Sequence, residues 1–125
     1  MQTKGRILVV DDEPSVREVL SRFLKAKGFE VNAVSNGREA LDHLKRDTPH
    51  LVLLDLKMPE LDGLDVLKAL REAEKRISVM MITANSDLEV ARKTMELGAC
   101  DYIVKPFDLE YLRTTVMAKL LMLTS

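Results

Sequence analysis

Apolar residues recur along this chain in two alternating rhythms, short unbroken runs and longer stretches in which they return every three or four positions. Ile7 to Val10 and Leu51 to Leu54 are runs of the first kind, as expected of strands covered on both faces, and Ile77 to Ile82, interrupted only by Ser78, supplies another strand. Val31, Ala33 and Val34 suggest a shorter strand, as do Tyr102, Ile103 and Val104. Between the runs lies the helical rhythm. Val16, Val19, Leu20, Phe23 and Leu24 predict one helix face, begun at Pro14 and stopped by Gly28. After the turn Ser35-Asn36-Gly37, Ala40, Leu41 and Leu44 mark a second helix, closed by Pro49. Leu64, Leu67 and Leu70 mark a third, ending in the charged run Arg71 to Arg76. Ser86 or Asp87 caps a fourth from about Leu88 to Leu97, with Gly98 as its stop. Leu109, Leu112, Val116, Leu120 and Leu123 describe the last.

Five strands thus alternate with five helices, and the connections are too long for hairpins. Right-handed βαβ crossovers follow, giving an α/β fold: one doubly wound parallel sheet with helices on both faces. The spacing is compatible with the flavodoxin-like strand order 2-1-3-4-5, although alternation alone does not fix that order. The 125 residues fit a single domain, 1–125, without a disulfide or metal staple.

Composition narrows the function classes. With 19 basic and 20 acidic residues the net charge is -1, which makes no electrostatic case for binding nucleic acid or anionic lipid. No apolar run approaches the ~20 residues of a membrane span, and the short start MQTKGRILVV is no signal peptide, so a cytoplasmic location is expected. The single cysteine, Cys100, reads as a small apolar filler before a strand, and His43 and His50 as surface or structural residues.

The chemistry collects where strands end. Asp11-Asp12 follows the first, Asp55 the third, Thr83 the fourth and Lys105 the fifth, and in a parallel sheet all of these face one edge. Taken singly, Asp12 reads equally as a cap for the first helix, Thr83 as an ordinary strand-end residue and Lys105 as a solvated cation. As a set they need a positive partner, because two carboxylates ~4 Å apart repel by on the order of 4 kcal/mol at an effective dielectric near 20. A hard cation held by a few carboxylate oxygens describes Mg²⁺, and such a site usually serves a phosphoryl group.

With Asp11-Asp12, Asp55 followed by Met58-Pro59 and Asp62-Gly63, Thr83-Ala84 and Lys105-Pro106, the whole chain resembles a response regulator receiver domain of two-component signalling, in the CheY-like superfamily. The resemblance implies that Asp55 takes a phosphoryl group from the phosphohistidine of a sensor histidine kinase or a phosphotransfer protein. It implies Mg²⁺ on Asp12, Asp55 and the backbone carbonyl of Lys57, with Asp11 acting largely through water. Lys105, Thr83 and the backbone N–H of Ala84 would cradle the phosphoryl oxygens. Thr83 and Tyr102 would then move together, and the fourth helix, fifth strand and fifth helix would report the change to an output such as transcription. A cis Lys105–Pro106 bond belongs to the same resemblance. Such a domain is a switch that catalyses only its own phosphorylation and dephosphorylation.

Competing readings fit less well. A haloacid dehalogenase type of hydrolase needs a second acid two residues after the nucleophile, where Lys57 stands. An FMN carrier needs a hydroxyl- and glycine-rich loop after the first strand, where Asp11-Asp12-Glu13 would repel the phosphate. A receiver-like module that binds partners without phosphorylation remains the alternative. The last helix adds Tyr111, Met117, Leu121 and Met122 beside its core stripe; this is either a broad stripe or a face for a partner or a second copy. An output domain would follow Ser125. Lys57 and Asn85 stand where the resemblance brings the hydrolytic water, and the lifetime of the phosphorylated state is left open.

Overall fold

The computed structural model describes residues 5–73, 75, 77–84 and 86–124, the last three by their backbone. In chain order the elements are β1 (Arg6–Val10), α1 (Pro14–Ala26), β2 (Glu30–Val34), α2 (Gly37–Arg46), β3 (Leu51–Leu54), α3 (Gly63–Glu72), β4 (Ser78–Thr83), α4 (Leu88–Glu96), β5 (Asp101–Val104) and α5 (Leu109–Thr124). All sheet pairings are parallel, in the order β2-β1-β3-β4-β5, as the flavodoxin-like expectation has it.

The unbroken apolar runs have a simple cause. Along β1, Leu8 and Val10 point to one core layer and Ile7 and Val9 to the other; along β3, Val52 and Leu54 alternate in the same way with Leu51 and Leu53. The first layer is closed by Ala40, Leu44, Val66, Leu67 and Leu70 of α2 and α3, with Val90 of α4 packed against it. The second is closed by Leu20 and Leu24 of α1 and by Leu112, Val116 and Leu120 of α5. Strands buried on both faces have no polar side to show. β2, at the sheet's edge, does show one: Val31 is buried while Asn32 and Ala33 are exposed.

Helix ends are set by local chemistry. Asn36 accepts from the Glu39 N–H at 2.9 Å to start α2, and Asp87 accepts from the Glu89 N–H at 2.9 Å to start α4. α3 begins with a capping box that the apolar periodicity does not reveal, in which Asp62 and Asp65 each accept the other's backbone N–H. One expectation is corrected and one alternative reading drops out. Val19 lies 48% exposed, because the buried line of α1 runs through Leu20 and Leu24 and leaves Val19 at its flank. Asp12 does not cap α1, since the N-cap position falls on Glu13, whose own N–H is taken by Asp11 Oδ1 at 2.9 Å. Of the extra apolar residues on α5, Tyr111 and Leu121 are exposed whereas Met117 packs on the second core layer. Asn85 and the side chains of Met122 and Leu123 lie outside the described residues.

Candidate phosphoacceptor site

Strand register brings the acids together. Val10 pairs with Leu54, so the residues that follow, Asp11 and Asp55, leave adjacent strands side by side, and the Asp55 N–H donates to the Val10 carbonyl at 2.9 Å. On the other flank Thr83 pairs with Val104, and the Lys105 N–H donates to the Thr83 carbonyl at 2.8 Å. The peptide bond from Lys105 to Pro106 is cis, in line with the resemblance. Every strand-end residue picked out from the sequence therefore stands on one edge.

Lys105 is the hub. Its Nζ lies 2.7 Å from Asp11 Oδ2, 3.5 Å from Asp55 Oδ2 and 3.4 Å from Glu13 Oε1. Asp11, Asp55 and Thr83 are buried, and the Lys105 side chain is only 13% exposed. Thr83 stands beside the Asp55 carboxylate and favours its charged form. Burial first, and then the negative charge of Asp11, raises the Asp55 pKa above the usual carboxylate range, against the pull of Lys105 and Thr83. Burial opposes the charge on Lys105, but the hydrogen bond to Asp11 and the charges of Asp55, Asp11 and Glu13 outweigh it and raise its pKa. At neutral pH the site thus holds a charged lysine among acids.

A metal fits the donor set. Asp11, Asp12, Glu13 and Asp55 each offer a carboxylate oxygen, and the four oxygens lie within 4.8 Å of one another. An all-oxygen set of this charge suits a hard divalent cation and no soft one. Glu13 is the member that the sequence reading passed over as a ligand; its place directly after Asp11-Asp12 was the available signal. Lys57 and Ala84 are exposed beside the site, and a groove of about 560 Å³ lined by Leu56, Met58, Pro59, Leu64 and Val90 opens next to Asp12 and Lys57. Tyr102 is half-buried against the first core layer, with its phenol pKa raised by burial and by the charges of Asp87 and Asp55.

The loop after Asp55 is held by close backbone packing. A Cβ built on Gly63 would fall 2.3 Å from the Asp55 carbonyl oxygen, and the Gly63 N–H donates to the Leu56 carbonyl at 2.8 Å. Only glycine lets the start of α3 lie against the backbone that carries the acid. His43 and His50 are remote from this edge: His50 Nδ1 accepts the Arg6 N–H at 3.0 Å, and His43 Nε2 lies 3.7 Å from Asp47. Cys100 is partly buried against the second core layer, and burial raises its thiol pKa.

The strand order and the acid-and-lysine edge define a flavodoxin-like domain with a charged site at the carboxyl ends of its strands. The model of the response regulator receiver domain family matches residues 7–117, and the chain belongs to that family. It is 45% identical over 121 residues to the regulatory protein AtoC of Escherichia coli, covering 96% of this chain and 26% of AtoC. It is 36% identical over 111 residues to sporulation initiation phosphotransferase F of Bacillus subtilis, covering 89% of this chain and 90% of that protein. Among solved structures it superposes on the Vibrio cholerae chemotaxis protein CheY4 with a TM-score of 0.85 at 31% identity, over 91% of this chain and 97% of the other. The chain spans about half or less of the transcriptional regulators it matches. Receiver domains are signalling switches of two-component response regulators. Among the described residues no helix is long and apolar enough to cross a membrane.

Proposed function

We propose that residues 1–125 form one receiver domain in which Asp55 is the phosphoacceptor, served by Asp11, Asp12, Thr83, Ala84 and Lys105. The observation that carries this reading is the Lys105 ammonium held between Asp11 and Asp55 at the carboxyl edge of the sheet. A carboxylate is a weak nucleophile, so the site works by alignment and charge neutralisation rather than by strong base catalysis. An Asp55 oxygen bonds to phosphorus as the phosphorus–nitrogen bond of a phosphohistidine breaks, leaving an acyl phosphate here and an imidazole that takes a proton on the donor. The sensor histidine kinase or phosphotransfer protein supplies that phosphohistidine. Asp12, Asp55 and the Lys57 carbonyl would hold Mg²⁺, with Asp11 acting largely through water. The bound ion supplies positive charge to phosphoryl oxygens. Lys105 and the Thr83 hydroxyl, with the Ala84 N–H, bind those oxygens.

The switch then runs through Thr83 and Tyr102 to the surface of α4, β5 and α5, which controls an output such as transcription. Leu88, Met95, Val104, Tyr111 and Leu121 are exposed apolar residues that support this choice of surface and a homodimer through the last helices. Direct nucleic-acid binding by this domain has no support in a net charge of -1. A cytoplasmic setting goes with the kinase partnership.

The test is intact mass after incubation with acetyl phosphate. A gain of one phosphoryl group that requires both Mg²⁺ and Asp55, and is lost in Asp55→Asn, is expected. A folded protein that gains no mass would reassign the chain to phosphorylation-independent binding of partners.

A further inference from the structure

Every polar group of Asp11 is engaged by a different part of the fold. Its N–H donates to the Val34 carbonyl at 3.2 Å, Oδ1 accepts the Glu13 N–H at 2.9 Å and Oδ2 accepts Lys105 Nζ at 2.7 Å. The remaining group, the backbone carbonyl, accepts from the guanidinium of Arg17 at 2.7 Å. Arg17 lies in the first turn of α1, where its own N–H donates to the Glu13 carbonyl at 3.1 Å, and its side chain folds back over the loop that follows β1. Near a cluster of four acids, this cation is thus bonded to a neutral carbonyl.

That choice of acceptor has a geometric consequence. A peptide is a rigid plane, so gripping the Asp11 carbonyl fixes the orientation of the whole Asp11–Asp12 unit. Asp12 is exposed, and packing does little to aim it, which leaves the backbone to do so. The charge on Arg17 also reaches α2, where it adds to the Ser35 hydrogen bonds that lower the Glu39 pKa.

We propose that Arg17 is a positioning residue of the acidic cluster: by holding the Asp11 carbonyl it sets where the Asp11 and Asp12 carboxylates stand relative to Asp55. The proposal rests on the reading of this cluster as a divalent cation site. Two effects of Arg17 on such a cation have opposite signs. As a like charge nearby, Arg17 weakens cation binding, and its removal should tighten it. As a positioning group it aligns the ligands, and its removal should weaken binding; loss of such supporting contacts typically costs about 10–100-fold in metal affinity.

Calorimetric titration of the protein with MgCl₂ at constant ionic strength separates them, run on the wild type, Arg17→Ala and Arg17→Lys. We expect Arg17→Ala to bind Mg²⁺ about ten-fold or more weakly, with part of the loss recovered in Arg17→Lys, which keeps a charged donor. Melting in EDTA serves as the folding control, and the rate of phosphoryl uptake from acetyl phosphate should recover at saturating Mg²⁺. An affinity for Mg²⁺ that is unchanged or tighter in Arg17→Ala overturns the proposal, whatever happens to the melting temperature. A wild type that takes up no Mg²⁺ overturns the cation reading itself, and the positioning role with it.

Discussion

Asp55 is asked to carry charge where charge is unwelcome. Its pKa is raised by burial and by Asp11 above the value of about 3.9 expected in an unfolded chain. Between those two values the native state holds more of the proton than the unfolded chain does. Stability contributed by this group therefore falls as pH rises through that window and stays lower above it. Asp55→Asn removes the penalty, and in metal-free buffer its melting temperature should exceed that of the wild type at pH 7, with the gap closing as pH falls toward 4. A variant no more stable at pH 7, or a gap unchanged at pH 4, would count against this account. Gly63 sets a second constraint at the same scale. Placing a methyl group 2.3 Å from the Asp55 carbonyl oxygen in Gly63→Ala forces the loop to move, which should cost about 1–3 kcal/mol in denaturant unfolding. It should also slow phosphoryl uptake by displacing the acid's own backbone. Native-like uptake in that variant would show that the loop can shift without disturbing Asp55. Asp11, Asp55 and Lys105 were legible in the sequence because each directly follows an apolar run. The need for glycine at position 63 was not, since the atom it avoids belongs to a residue met only after the loop closes on β3.

At the scale of elements, α4 is the helix with the least hold on the core. Only Thr94 of its residues is buried, and Leu88 at its start is 83% exposed. Its far end is pinned by Arg71 of α3. The guanidinium donates to the Leu97 carbonyl at 2.7 Å and the Gly98 carbonyl at 3.0 Å beyond α4, and to the Lys75 and Ile77 carbonyls at 3.0 and 3.4 Å before β4. These carbonyls include orphans of a helix end, and a cation there also meets the negative end of the helix dipole. Gly98, at φ +90°, is required twice over, because a Cβ there would also press on Arg71 Nε at 3.0 Å. Arg71→Ala should therefore cost about 1.5–3 kcal/mol of stability and speed amide hydrogen exchange along α4 more than in β1 or β3. Uniform acceleration across the molecule would show that Arg71 supports the fold as a whole instead. Periodicity located α4, and the sequence showed the charged run in which α3 ends, yet neither gave a sign that the first charge of that run reaches across to α4. Such a contact joins residues 26 and 27 positions apart, and no local pattern encodes it.

For the whole molecule, the gathering of acids at one edge makes stability depend on what neutralises them. A cation that binds only the native state stabilises it by about 2.7 kcal/mol at a hundred times its dissociation constant. Adding Mg²⁺ should raise the melting temperature of the wild type and raise that of Asp12→Asn much less, at matched ionic strength. Equal shifts in both proteins would make the effect one of general screening. The sequence by itself determined the architecture, because short apolar runs alternating with helical periodicity leave a doubly wound parallel sheet as the way to bury both faces. It also determined which candidate residues would meet, because a parallel sheet delivers every strand end to one edge. Only the tertiary structure decided the strand order, the pairing of Val10 with Leu54 that sets Asp11 beside Asp55, the entry of Glu13 into the acid cluster, and the grip of Arg17 on the Asp11 carbonyl. Those are distances between segments far apart in the chain or directions taken by long side chains, and both come from packing that the order of residues specifies only once the whole chain has closed.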